Sequence, residues 1–149
     1  MCKPRELGPL DVPHYVLAGN ATVTLVSGET NNRFTYKIKR HENKPELYFV
    51  NLLHGPDNES DYRYVGCYYS DTHEFHPVKT YRDRPNFTWP PSMRAINFLF
   101  ARLYTKPDNF HVYHEGRCGR CGRKLTTPES IERGLGPECF ERSNYERFL

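Results

Sequence analysis

Between Arg33 and Arg40 the chain reads RFTYKIKR, with Phe34, Tyr36 and Ile38 alternating with Thr35, Lys37 and Lys39. Only an extended strand puts successive side chains on opposite faces, so this two-residue period predicts a strand with one face buried and one wet. The stretch ATVTLVSG, beginning at Ala21, alternates in the same way. ELYFVNLLHG is more continuously apolar, as a central strand should be, and YRYVGCYYS follows the turn GPDNESD, whose Gly, Pro, Asp and Asn suit a tight reversal. EFHPVKTY adds a fifth strand, placed at an edge because Pro77 has no N–H to give to a ladder. Residues 21–81 are therefore expected to form an antiparallel meander. Simple alternation in YRYVGCYYS puts Tyr62, Tyr64 and Tyr68 on one face and Arg63, Val65 and Tyr69 on the other.

A meander needs a second layer to bury its apolar face. SMRAINFLFARLYTKPD supplies it, spacing Met93, Ile96, Leu99, Phe100, Leu103 and Tyr104 along one side of a helix, with Ser92 as the expected N-cap and Pro107 just past the end. The expected fold class is α+β: an antiparallel β-meander packed by one helix, followed by a C-terminal treble-clef or zinc-ribbon-like module. Residues 1–20, with three prolines and no period, are expected to be an extended arm, 21–109 the α+β body and 110–149 the zinc-binding module, entered through the short strand FHVYHEG.

The module is inferred from HEGRCGRCGRKLTTPESIERGLGPEC, residues 114–139. Cys118 and Cys121 are spaced C-x2-C, each followed by a glycine, as a tight knuckle needs if backbone N–H groups are to point at thiolate sulfurs. Thr127, Pro128 and Gly134 mark a short helix, and Cys139 falls in the first turn of a last helix, PECFERSNYERFL, where the helix dipole favours a thiolate. Three cysteines need a fourth ligand, and His114, four residues before Cys118, is the first choice; His111, Cys67, Cys2 and Glu141 follow in that order. One zinc ion held by His114, Cys118, Cys121 and Cys139 has no open position for water, so it is expected to be structural and no catalytic residue is predicted. Hydrophobic residues make up 37% of the chain, a proportion that predicts a thin core, and such an ion would compensate for it.

The motif C-x-x-CGR-x-L, then P-x-S, then G-x-GP-x-C resembles an uncharacterised zinc-binding domain family of unknown function found in phage and plasmid proteins. Cys118, Cys121, Gly122, Arg123, Leu125, Pro128, Ser130, Gly134, Gly136, Pro137 and Cys139 carry the resemblance. It implies a metal role for the three cysteines and a mobile-element origin, and no reaction. No run of 18 apolar residues and no secretory leader is visible, so a protein of the bacterial host cytosol, without a membrane partner, is expected. Thiols stay reduced there, and an odd count of five cysteines fits metal binding better than disulfides.

A net charge of +3 is too mild to indicate a polyanionic partner, so local clusters carry the functional expectation. Arg117, Arg120, Arg123 and Lys124 decorate the knuckle, and KTYRDRPNFTW interleaves Lys79, Arg82 and Arg84 with Tyr81, Phe87 and Trp89. Cations on a rigid turn meet phosphates, and aromatic rings among cations suit stacking on single-stranded bases. The first expectation is a non-enzymatic accessory protein binding nucleic acid or a nucleic-acid-processing protein of host or phage. A protein-binding inhibitor of a host defence system, resembling anti-CRISPR proteins, is the alternative, since eleven tyrosines supply interface area. A metal-dependent nuclease ranks third: His73 and His76 of HEFH lie on opposite sides of a strand and cannot share an ion.

Overall fold

The structure, a computed structural model, describes residues 5–28, 30–57, 60–105, 107–125 and 128–136. It is α+β, built on one antiparallel sheet of seven strands: β1 (Arg5–Glu6), β2 (Asn20–Ser27), β3 (Arg33–Arg40), β4 (Leu47–Leu53), β5 (Tyr62–Tyr69), β6 (Glu74–Pro77) and β7 (Phe110–His114), in the order β1-β7-β2-β3-β4-β5-β6. Strands β2 to β6 are the expected meander. The chain then crosses from the β6 edge to the far side of β2, passing through α2 (Lys79–Arg82), a short 3-10 turn (Asn86–Thr88) and α3 (Pro91–Ala101) before entering β7. β7 is thus interior to the sheet, paired to β1 on one side and β2 on the other, and the sheet continues past the boundary expected at residue 109.

The crossing lays α3 over one face only. Met93, Ile96, Leu99 and Phe100 are buried there with Tyr36, Ile38, Val50, Val65 and Tyr68; each fully buried apolar side chain of this kind contributes about 1.5–3 kcal/mol. Phe100 is the keystone, stacked on Tyr68 at 4.1 Å between centroids and beside Phe75 at 5.6 Å. Helix α3 starts at Pro91, and no side chain caps it. Proline has no N–H to leave unsatisfied in the first turn, so the expected Ser92 cap is not needed. Ser92 contributes its carbonyl, which accepts the Tyr36 hydroxyl at 2.6 Å. Tyr104, expected on the buried face, lies beyond the end of α3 and is 56% exposed.

Residues 5–20 are not the extended arm expected from their prolines. A helix, α1 (Asp11–Val16), buries Val12, Tyr15 and Val16, and Leu7 joins the same core. Pro13 falls in the first turn, where a missing N–H costs nothing, and one and a half turns are too short to display a period. The helix end is fastened from the sheet: the Leu17 carbonyl accepts bonds from Arg40 (2.8 Å) and the Tyr48 hydroxyl (2.9 Å).

Strand β5 also departs from simple alternation. The register slips between Val50 and Asn51, so that Asn51 faces Tyr64, Val50 faces Gly66, and Val65 is the extra residue of a bulge. Tyr68 therefore joins Val65 in the core, whereas Tyr62 and Tyr64 stay on the other face with Cys67 and Tyr69, paired with Leu53, Asn51, Phe49 and Leu47 of β4. Among the described residues, no helix is long and apolar enough to cross a membrane.

Burial holds the Tyr15 and Tyr36 hydroxyls far above their ordinary range, while the same groups in the unfolded chain ionise at about pH 10. Above that pH the unfolded state gives up protons that the folded state keeps, so stability is whole below about pH 10 and falls as pH rises. Denaturant titrations from pH 8 to 11 should show this decline, and Tyr36→Phe should shrink its slope while costing about 1 kcal/mol at neutral pH for the lost bond to Ser92.

Candidate metal centre

Beyond β7 the backbone turns at Gly116, with φ 82°, into a hairpin that carries the two neighbouring cysteines. Arg117 bridges to Lys124, Cys118 N–H donates to the Arg123 carbonyl at 2.8 Å, and Gly122 N–H donates to the Cys118 carbonyl at 2.9 Å. Gly122 has φ 79°, a left-handed conformation that glycine adopts without a Cβ penalty. This tight turn aims backbone donors at the Cys118 sulfur. Burial pushes that thiol up, but N–H groups of Cys121, Gly136 and Arg120, with the Cys121 thiol beside them, more than reverse the effect and hold it below its ordinary value. The Arg120 donor lies 3.4 Å from Sγ. Cys118 is buried and Cys121 exposed, so the sulfur pair opens to one side.

The hairpin is clamped onto the body by contacts that need its glycines. Asn20 N–H donates to the Gly119 carbonyl (2.6 Å), and Gly119 N–H to the carbonyl of Gly134, which ends α4 (Pro128–Arg133) with φ 75° (2.8 Å). The Tyr15 ring sits between the two: a Cβ at Gly119 or at Gly134 would lie 2.6 Å from it. The Tyr15 hydroxyl in turn donates to the Thr22 carbonyl (2.9 Å) and accepts the Thr22 N–H (3.2 Å) on β2. Cys118, Leu125, Leu135 and Ala18 form a second, small core with Ile131 against it. Tyr15 leaves no pattern in the sequence, although the glycines it requires are conspicuous.

His114, the expected fourth ligand, is fully buried on β7 with its ring 5.5 Å from that of Tyr15. Its Nδ1 accepts the Gly116 N–H at 2.9 Å and its Nε2 is bonded to the Ile131 carbonyl of α4. One neutral tautomer, protonated at Nε2, satisfies both bonds. A metal on either nitrogen would displace one of these partners. Among the described residues, no three His, Cys, Asp or Glu side chains gather so as to hold a metal ion, and the structure brings together Cys118 and Cys121 without His114. Cys139, Cys2 and Glu141 lie outside the described residues, as do the last helix and Thr127. His111 pairs with Glu6 at 2.8 Å, and Cys67 on β5 is separated from β7 by β2, β3 and β4.

The expected binding residues divide. Arg117, Arg123 and Lys124 are exposed around the hairpin, Arg117 donating to the Gly122 carbonyl at 3.2 Å, and Arg120 is half-buried. Lys79, Arg82 and Arg84 are exposed as well, with Arg84 over the Tyr81 ring at 5.5 Å. Trp89, expected to stack on a base, is 7% exposed and anchors its loop, donating from Nε1 to the carbonyls of Tyr81 (2.9 Å) and Arg84 (3.2 Å). Tyr81 packs partly against the core, and the ring this loop presents is Phe87, 80% exposed.

Residues 108–144, about a quarter of the chain, match a family of unknown function (DUF6011). No curated protein and no solved structure matches. The match covers the segment that carries β7, the cysteine hairpin and α4.

Gly119→Ala should destabilise the fold by about 1–3 kcal/mol in urea titrations, since the methyl must displace the Tyr15 ring. Gly136→Ala, with nothing within 4 Å of the added methyl, should change stability by less than about 0.5 kcal/mol.

Proposed function

We propose that the C-terminal segment is a treble-clef or zinc-ribbon-like module closed by one structural zinc ion, and that the protein is a non-enzymatic accessory factor of a phage or plasmid that binds nucleic acid in the host cytosol. Cys118, Cys121 and Cys139 are three of its four ligands. The fourth is a residue other than His114, which joins β7 to α4 with its two ring nitrogens committed to Gly116 and Ile131.

The observation that carries the metal reading is the Cys118 sulfur: backbone donors of three residues and a second thiol converge on it and hold its pKa below the ordinary thiol value. Such a cradle stabilises the charged, ligating form of cysteine. Zinc bound there supplies folding free energy, on the order of 10 kcal/mol for a structural site, to a segment whose Cys118, Leu125 and Leu135 share a small core with Ala18 of the body. The C-terminal motif supports the mobile-element origin. Exposed Arg117, Arg123 and Lys124 on the hairpin, and Lys79, Arg82 and Arg84 around Phe87, support a polyanionic partner.

Elemental analysis of purified protein should give one zinc per chain, lost in Cys118→Ser together with resistance of the C-terminal segment to proteolysis. His114→Ala should keep the metal while losing about 2 kcal/mol of stability, because the Gly116 N–H and Ile131 carbonyl are left without their partner. Loss of zinc in that variant would return His114 to the ligand set. Affinity for labelled oligonucleotides should fall steeply as salt rises; absent or salt-insensitive binding would point to a protein partner instead.

A further inference from the structure

One face of the sheet is covered by α1 and α3, whose buried residues all enter the main core. Over the other face no described helix packs, and the register gives its composition. Lys39 lies opposite Phe49, and Lys37 opposite Asn51. Asn51 lies opposite Tyr64, Phe49 opposite Cys67, and Leu47 opposite Tyr69. Next to them β2 and β3 contribute Thr24 and Thr35, whose hydroxyls bond at 2.8 Å, and β7 contributes Tyr113 opposite Thr24.

The bulge at Val65 makes this surface. By turning Val65 and Tyr68 inward it gathers Tyr62, Tyr64 and Tyr69 on the outer side of a single strand. Phe49 and Tyr64 meet edge to face at 6.1 Å, and Tyr64 remains 47% exposed. The Lys37 ammonium sits 4.5 Å above the Tyr62 ring, Lys39 is exposed beside Phe49, and Arg33 is exposed at the start of the same strand. Arg82 lies close enough to Tyr64 to act on its hydroxyl. Two of the acids on this side are at the sheet margins, each engaged by histidine: Glu6 with His111 (2.8 Å) on the β1 side, and Glu74 with His76 (3.2 Å) on β6. Glu115 lies within the field of Lys37 and Arg117.

Aromatic faces interleaved with threonine, asparagine and lysine match a polymer that offers flat rings and anionic links in turn. A duplex keeps its bases stacked inside, where rings projecting from a sheet cannot reach them, whereas a single strand can splay them onto the surface. We infer that the face of the sheet opposite α3 is a stacking surface for single-stranded nucleic acid, with bases on Phe49, Tyr64 and Tyr69 and phosphates on Lys39 and Arg33. This inference rests on the nucleic-acid reading above and moves its principal contact from the cysteine hairpin to β3, β4 and β5.

Fluorescence anisotropy with labelled twelve-nucleotide single-stranded DNA and RNA, and with the corresponding duplex, tests it on the full chain. Single strands of either sugar should bind more tightly than duplex. Tyr64→Ala should weaken single-strand binding roughly ten-fold, the loss expected for one stacked base. Lys39→Ala should make the dependence of log affinity on log salt shallower by about 0.7, the share of one phosphate contact. Photocross-linking of a halouracil-substituted oligonucleotide to the unaltered protein, mapped by mass spectrometry, gives a readout that no variant's folding can disturb, and its adducts should fall on Phe49, Tyr64 or Tyr69. Adducts confined to the hairpin or the Phe87 loop, with Tyr64→Ala binding normally and Arg123→Ala binding weakly, would overturn this inference and leave the nucleic-acid reading standing. Failure of every oligonucleotide to bind would overturn both.

Discussion

A single antiparallel sheet has two faces, and the long connection in this chain can cover only one of them. The meander ends with β6 at one edge while β7 must pair beyond β2, so residues 78–109 have to traverse the sheet and bring α3 with them. That traverse determines which side becomes the core. Tyr36, Ile38, Val50 and Tyr68 are sealed under Met93, Ile96 and Phe100, and the alternate positions of the same strands belong to the other face. The outer surface follows from the topology as directly as the core does.

The same traverse settles how the cysteine hairpin is held. Because β7 lies between β1 and β2, the hairpin emerges from inside the sheet and lands beside α1, where Tyr15 fills the gap kept open by Gly119 and Gly134. Hydrogen bonds from Asn20, His114 and Gly119 then join the N-terminal helix, the sheet and α4 around one ring. The geometry at the Cys118 sulfur is therefore set by body and hairpin together. Small as the second core is, it is fastened to the large one by polar contacts with defined directions.

The meander was legible because its period is local. RFTYKIKR and ATVTLVSG declare their faces without reference to anything distant, and the turn residues separate the strands. The face of α3 was legible for the same reason, Met93, Ile96, Leu99 and Phe100 all being buried. What escaped depends on long-range pairing. Helix α1 is too short to show a period, the bulge at Val65 exists only against β4, and Trp89 looked like a stacking residue because burial under a loop leaves no mark on its neighbours. The two-thiol knuckle could be read from C-x2-C and its glycines. The hydrogen bonds of His114 could not, since one of them is made to the Ile131 carbonyl, which arrives from an element seventeen residues on.

The interior place of β7 has a consequence for how the chain comes to be folded during synthesis. Strands β2 to β6 can pair with one another as soon as they leave the ribosome, but the outer edge of β2 keeps its N–H and C=O groups unpaired until residues 110–114 have emerged. Until then the nascent meander has an open template edge and an apolar side without its lid, the combination that invites pairing between neighbouring chains. Closure waits for α3 and then β7, so residues 91–114 complete the barrier against self-association for the strands that precede them.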